Sequence, residues 1–86
     1  MYRVSFRPSF IRQAKKLEKI LLSQLLSKIE LLKNPKNHQS LKVHKLHGKY
    51  ADCYSFTITP KIRSIFMFDR PDEIILLYVG DHKIYK

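Results

Sequence analysis

The chain is poor in residues on which several kinds of functional site depend. Its 86 residues include one cysteine, Cys53, and two glycines, Gly48 and Gly80. A single cysteine excludes a disulfide framework and a cysteine-rich zinc site, and it fits a reducing cytoplasmic location. Two separated glycines exclude a glycine-rich phosphate-binding loop.

Acidic residues and long apolar runs are also scarce. With seven Asp and Glu and no HExxH or CxxC motif, a Mg²⁺ nuclease site built from several carboxylates is not expected. We predict no metal and no cofactor. The most apolar window, residues 74–79, is far shorter than the roughly 20 residues that cross a bilayer, and no signal peptide is visible. We therefore predict one small domain, residues 1–86, with no membrane association.

Positive charge is abundant and unevenly distributed. Seventeen Lys and Arg give a formal net charge of +10. Residues 1–49 hold twelve of these cations and two acids, whereas residues 50–86 are balanced at five of each. A one-sided excess indicates a polyanionic partner: nucleic acid, an acidic protein or an anionic membrane surface. The simpler alternative is a soluble, lysine-rich protein.

The first half of the chain has the pattern of a strand followed by helices. Alternation predicts a strand at 2–6, and Pro8 is typical of a helix start. Apolar residues then recur at helical spacing as far as residue 33. One straight helix over 8–33 would measure about 39 Å, whereas a protein of this size is roughly 30 Å across. We therefore predict a break near 17–20 and a two-helix hairpin.

The second half predicts a β-meander. Residues 34–48 form a polar connection with at most a short extended piece. Strands are predicted at 53–59, 62–68 and 73–79, joined by turn-like linkers that favour antiparallel pairing. The last strand is apolar at both parities, which is typical of a central strand. The predicted fold is α+β, with the first strand and the meander forming one roughly four-stranded sheet and the helices on one face.

Histidines and an arginine near element ends are the candidate chemical groups. His44, His47 and His82 suit proton transfer near neutral pH, and Arg63 suits a phosphate. RNA can be cleaved without a metal, because its 2′-OH attacks the neighbouring phosphate while side chains move protons and neutralise charge. The simpler alternatives are solvated histidines and, for Arg63, an edge-strand charge that blocks aggregation.

Other polar and aromatic residues have structural interpretations. We expect His38 in a loop. Tyr50 and Tyr54 are expected to be packing residues. Cys53 is expected to be a small strand hydrophobe.

The order of these segments resembles the RelE/ParE superfamily of bacterial toxins over nearly the whole length. The segments are the opening strand, the lysine-rich helices ending in Leu31-Leu32-Lys33-Asn34-Pro35, His44-Lys45-Leu46-His47-Gly48, Tyr54-Ser55-Phe56 to Pro60, Ile62-Arg63-Ser64-Ile65-Phe66, and Ile74 to Gly80-Asp81-His82 with Tyr85. The H-x-L-x-G and G-x-H segments look most like the YafQ-like branch of ribosome-dependent mRNA endonucleases.

The resemblance implies a fold, an activity and partners. It implies about four antiparallel strands, metal-free mRNA cleavage in the ribosomal A site, and a cognate antitoxin through which the pair binds operator DNA. By position, His44 and His82 fall on catalytic histidines, in either order as acid and base. Arg63 falls on the arginine that contacts the scissile phosphate, and Tyr85 falls near the aromatic residue that orients the substrate.

Four positions depart from the YafQ-like pattern. Thr57 stands where that branch has another histidine, Lys61-Ile62 replace an Asp-Trp pair, and Tyr78 stands where an arginine is expected. The proton-transfer set is therefore incomplete by that pattern, and Lys61 or His47 is the candidate to compensate.

The sequence thus predicts a ribosome-dependent endoribonuclease toxin of a type II toxin–antitoxin pair. Phosphate contacts to ribosomal and messenger RNA are expected from one set of side chains: Lys15, Lys16, Lys19, Lys45, His47, Lys49 and Lys61. The leading alternative is a ParE-like toxin that inhibits DNA gyrase through protein–protein contact without catalysis. A third is an RNA-binding module that leaves the message whole.

Overall fold

The computed structural model describes residues 1–85, so the last residue of the predicted 1–86 domain lies outside the described part. In chain order the elements are β1 (Arg3–Phe6), α1 (Pro8–Lys15), α2 (Lys19–Leu32), β2 (His44–Lys45), β3 (Tyr54–Thr57), β4 (Arg63–Phe68) and β5 (Glu73–Gly80). Three short 3₁₀-helices accompany them: η1 (Pro35–Asn37), η2 (Gly48–Tyr50) and η3 (His82–Tyr85). The predicted α+β class is confirmed.

The helical region is interrupted where the size argument requires. Lys16 closes α1 in helical geometry, and Glu18 opens α2 with extended backbone. The molecule measures 32 × 27 × 24 Å, less than one straight helix over 8–33 would need. No Gly or Pro is present at the break, so its position is set by the packing of both helices against the sheet. Within residues 1–85, no helix is both long and apolar enough to cross a membrane.

The sheet of the described chain has five strands, in the order β1-β5-β4-β3-β2. The antiparallel meander of β3, β4 and β5 is confirmed, and β5 lies between two neighbours as its pattern predicts. Two expectations need correction. β1 pairs with β5 in parallel, so the sheet is mixed. A parallel neighbour needs a long crossover, which the helices and the meander together supply.

The second correction concerns strand number. β2 is a fifth strand, antiparallel to β3, and it consists of His44 and Lys45 alone. Two polar, exposed residues carry no alternation signal, so the sequence showed this strand only as a short extended piece of the connection. Its position at the sheet edge places His44 beside Ser55.

The two faces of the sheet are packed differently. On one face Phe56, Phe66 and Leu76 join a core to which α1 contributes Phe10 and α2 contributes Leu25. Side chains alternate along a strand, so their sequence neighbours point to the opposite, helix-free face. Ser55 and Ile65 lie on that face and are fully buried nevertheless. The segment between β2 and β3 therefore covers part of it.

Helix α1 forms hydrogen bonds with the part of β5 that extends beyond the end of β1. The pairing of β4 with β5 shifts register between Ile65 and Phe66, which leaves Leu77 as a bulge residue. The Ser9 hydroxyl donates to the Leu77 carbonyl at 2.7 Å, and the Gln13 side-chain oxygen accepts from the Val79 N–H at 2.9 Å. Polar side chains one helical turn apart thus hold the end of β5, from which the residues of the candidate site continue.

Candidate active site at the end of the sheet

A cleft of about 400 Å³ opens where β3 and β5 end and β4 begins. Its lining residues are Pro60, Lys61, Arg63, Asp81 and His82. They come from the β3–β4 turn, the first residue of β4 and the segment after β5. The structure therefore brings together three of the predicted functional residues: Lys61, Arg63 and His82.

Arg63 is held on the helix-free face by its neighbours in the sheet. It stands opposite Thr57 on β3 and opposite Gly80 on β5. Its Nη1 donates a hydrogen bond to the Thr57 hydroxyl oxygen, which directs the half-buried guanidinium. The edge-strand interpretation of Arg63 is wrong, because β4 is the middle strand of the five.

His82 is positioned by a tight turn after β5. The Asp81 Oδ1 atom accepts from the Lys83 backbone N–H at 2.9 Å and thereby supports the start of η3. A Cβ atom on Gly80 would lie 2.6 Å from Cγ2 of Ile84, so glycine is what lets η3 fold back against β5. This leaves His82 exposed at the cleft.

Lys61 is placed by the β3–β4 turn. The Thr59 hydroxyl oxygen accepts from the backbone N–H groups of Lys61 at 3.2 Å and of Ile62 at 3.0 Å. The cleft thus presents a lysine ammonium, a guanidinium, a carboxylate and an imidazole. A lysine and a forked guanidinium beside an imidazole suit a phosphate group with an exchangeable proton nearby.

His44 lies on the same face but does not line the cleft. Its Nδ1 atom lies 3.0 Å from the Lys42 carbonyl oxygen, and its Nε2 atom lies 3.3 Å from the Ser55 hydroxyl. Lys42 has a positive φ of 58°, and this turn aims its carbonyl at the imidazole. From the strand spacing and register, the Cα atoms of His44 and Arg63 are roughly 12 Å apart.

The remaining predicted site residues are distributed around this end of the molecule and along the β2 edge. Tyr85 is a half-buried residue of η3 and does not line the cleft. The other side chains of the predicted RNA-contacting set fall at the end of α1 (Lys15), in the break (Lys16), at the start of α2 (Lys19), in β2 (Lys45), just before η2 (His47) and within η2 (Lys49). Because Gln13 contacts Val79, the end of α1 lies at the same end of the sheet as the cleft.

Asp81 was missed as a lining residue by the sequence reasoning. An acidic residue between a glycine and a histidine is a common turn signal, and that signal was available. Thr57 and Ser55, the partners of Arg63 and His44, could not be found this way, because cross-strand register decides them. Within the described range, no three His, Cys, Asp or Glu side chains are grouped to hold a metal ion.

Two residues interpreted as structural are embedded in the fold. His38 places Nε2 2.7 Å from the Leu32 carbonyl oxygen, and its ring stacks on that of Tyr2 at a centroid distance of 5.6 Å. Cys53 is buried just before β3. Desolvation, with a smaller contribution from the Asp52 charge, raises the pKa of the Cys53 thiol, which disfavours the nucleophilic thiolate.

The fold and the cleft together define a small α+β protein with a cationic groove at the end of its sheet. YafQ from Escherichia coli has the same fold, with a TM-score of 0.81 and 13% identity over 99% of this chain and 98% of YafQ. The archaeal RelE–RelB complex from Pyrococcus horikoshii matches at a TM-score of 0.74 and 21% identity over 93% of each chain. The toxin–antitoxin complex RelBE2 from Mycobacterium tuberculosis matches at 0.70 and 19%, over 94% of this chain and 98% of the other.

The structural resemblance expected from the sequence is confirmed by these matches: the chain has the RelE/YafQ-like fold. No family model and no curated protein matches the sequence itself. At identities of 13–21% the likeness establishes the fold, and the chemistry of the cleft is argued from its own residues.

Proposed function

We propose that this protein is the toxin of a type II toxin–antitoxin pair and that it cleaves messenger RNA in the ribosomal A site. The observation that carries the proposal is the shared cleft of Arg63, Lys61 and His82, in a fold shared with YafQ and RelE. A protein that acts by binding gyrase would need no such set.

The proposed chemistry uses the RNA's own nucleophile. The 2′-OH attacks the adjacent phosphorus, the P–O5′ bond breaks, and a 2′,3′-cyclic phosphate forms. Arg63 and Lys61 stabilise the charge that develops on the phosphorane oxygens. His82 carries one proton transfer and His44 the other, from the 2′-OH or to the departing 5′-oxygen. To take part in either proton transfer, the His44 ring must first turn away from the Lys42 carbonyl and the Ser55 hydroxyl.

The proposed partners follow from charge as well as from the fold. A net charge of +10 favours association with ribosomal RNA and also with an acidic antitoxin that neutralises the toxin. RelE and the RelBE2 toxin were solved as complexes with their partners, which supports an antitoxin for this chain. We place the proposed activity in the cytoplasm, and operator DNA would be contacted through the antitoxin.

The test is cleavage of a translated message. We expect the purified protein, added to a translation reaction, to produce cuts within codons that primer extension maps. His82→Ala and Arg63→Gln should each lower the cleavage rate by at least about 100-fold, the usual effect of removing one transition-state donor. Arg70→Gln is the matched control, because Arg70 lies at the opposite end of the same hairpin and is exposed.

Each other outcome points to a different function. Growth arrest with DNA damage and intact messages would support the gyrase-binding alternative. Ribosome binding with an uncut message would support a plain RNA-binding module. Full activity of His82→Ala would contradict the site assignment.

A further inference from the structure

Two tyrosines form a half-buried aromatic pair on the helix-free face of the sheet. The ring of Tyr50, in η2, meets the ring of Tyr78, in β5, edge to face, with centroids 6.0 Å apart and planes at 65°. Both residues are half-buried, so each keeps part of its surface in solvent. The Lys49 Nζ atom lies 5.4 Å from the centroid of the Tyr50 ring.

The aromatic pair is adjacent to the cleft. Tyr78 stands opposite Ile65, and Arg63, two residues earlier on β4, stands opposite Gly80. Tyr78 and Arg63 are therefore diagonal neighbours on one face, with Cα atoms about 7–8 Å apart. The Arg63 and Tyr78 side chains therefore project from neighbouring positions on that face.

Packing alone explains only part of this arrangement. Ile65 is fully buried on this face and needs a cover, which any large apolar residue at position 78 would provide. An aromatic pair left partly in solvent, with one lysine beside it and an arginine one diagonal away, has a further property. It offers a π-surface flanked by cations, which is how single-stranded nucleic acid is held without base-specific hydrogen bonds.

We propose that the Tyr50–Tyr78 pair is a stacking site for one nucleobase of the substrate RNA, next to the phosphate bound by Arg63. The base lies against the Tyr78 ring, with Tyr50 at its edge and Lys49 near the adjoining phosphate. This inference rests on the proposed function, since it assigns a substrate contact to the same site. At position 78 a stacking surface then replaces the arginine expected from the family resemblance.

The test measures binding rather than cleavage, so that it does not depend on catalysis. A His82→Ala parent is titrated at low salt with a fluorescently labelled single-stranded RNA and with copies carrying one abasic nucleotide at successive positions. Tyr78→Leu keeps an apolar cover over Ile65 but removes the ring, and Tyr78→Phe keeps the ring. Thermal unfolding checks that each variant is folded, and Tyr50→Leu, in η2, provides a second variant that removes the other ring of the pair.

We expect Tyr78→Leu to bind the intact RNA roughly 5- to 150-fold more weakly, the range for losing one base–aromatic stack. Tyr78→Phe should bind like the parent. With the RNA that is abasic at one particular position, the affinity of the parent should fall by a similar factor. Tyr78→Leu should then reduce the affinity for that RNA little further. That non-additivity identifies the base that stacks on the ring.

The contrary outcomes are distinct from failure of the proposed function. Equal binding of intact RNA by the parent and by both leucine variants would overturn the stacking site. If Tyr78→Leu weakened the binding of intact RNA and of every abasic copy by the same factor, the ring would contribute packing alone. That result would also overturn the stacking site. If Tyr78→Leu weakens binding of a polyglutamate peptide but not of RNA, this face binds an acidic protein and the stacking site is overturned. Cuts that depend on Arg63 in the translation assay would leave the nuclease proposal standing in each case.

Discussion

Gly80 is the position where a minimal change should move the candidate site. In Gly80→Ala the new Cβ would lie 2.6 Å from the Ile84 Cγ2 atom, whereas carbon atoms in contact are normally about 3.5–4.0 Å apart. The new Cβ and the Ile84 Cγ2 atom must therefore move apart by about 1 Å. Ile is stiff at χ1, so the overlap is relieved mainly by moving η3, which carries His82 at its start.

The size of the effect follows from that displacement. A catalytic group misplaced by about 1 Å typically costs on the order of 100-fold in rate, whereas overpacking at one site costs about 1–3 kcal/mol in stability. We expect Gly80→Ala to remain folded, to cleave a translated message roughly 100-fold more slowly, and to shift the His82 ring signals in NMR spectra. The NMR shift is readable even if the protein is not a nuclease.

A second substitution makes the reasoning refutable. Ile84→Ala removes Cγ2, so the double variant Gly80→Ala/Ile84→Ala should recover the His82 signals of the Ile84→Ala single variant. The two effects would then be strongly non-additive, as expected for atoms in contact. Unchanged His82 signals in Gly80→Ala, or additive effects in the double variant, would show that glycine is not required for the placement of η3.

Two further predictions concern stability and reactivity. Gln13→Met leaves the N–H of Val79, a residue 2% exposed, without its acceptor, and should lower the free energy of unfolding by about 1–3 kcal/mol. Thermal denaturation checks this against Gln24→Met on the exposed side of α2, and equal melting temperatures of the two variants would contradict it. Because burial raises the pKa of the Cys53 thiol, the native protein should react with a thiol reagent at pH 7–8 well below the rate of free cysteine. A rate equal to that of free cysteine would refute the prediction.

Local sequence signals were sufficient for most elements of this fold. The helical periodicity, Pro8 and the length limit predicted two helices, and the apolar segments separated by turn-like linkers predicted β3, β4 and β5 to within one or two residues. The polar pair His44-Lys45 has no such signal, because its extended conformation comes from pairing with β3. The parallel pairing of β1 also escaped prediction, since strand order across a long crossover is set by which apolar faces meet in the core.

The candidate site, like the fold, was predicted from the sequence only in part. Residue chemistry alone singled out Arg63 and His82, because a basic chain with few carboxylates has a short list of groups able to act on a phosphate, and the family resemblance added Lys61. Only the folded sheet decided that these three share a cleft, that Thr57 directs Arg63, and that His44 faces Ser55 instead. Those neighbours are set by cross-strand register and by the turn after β5, and both are properties of packed strands rather than of any one segment.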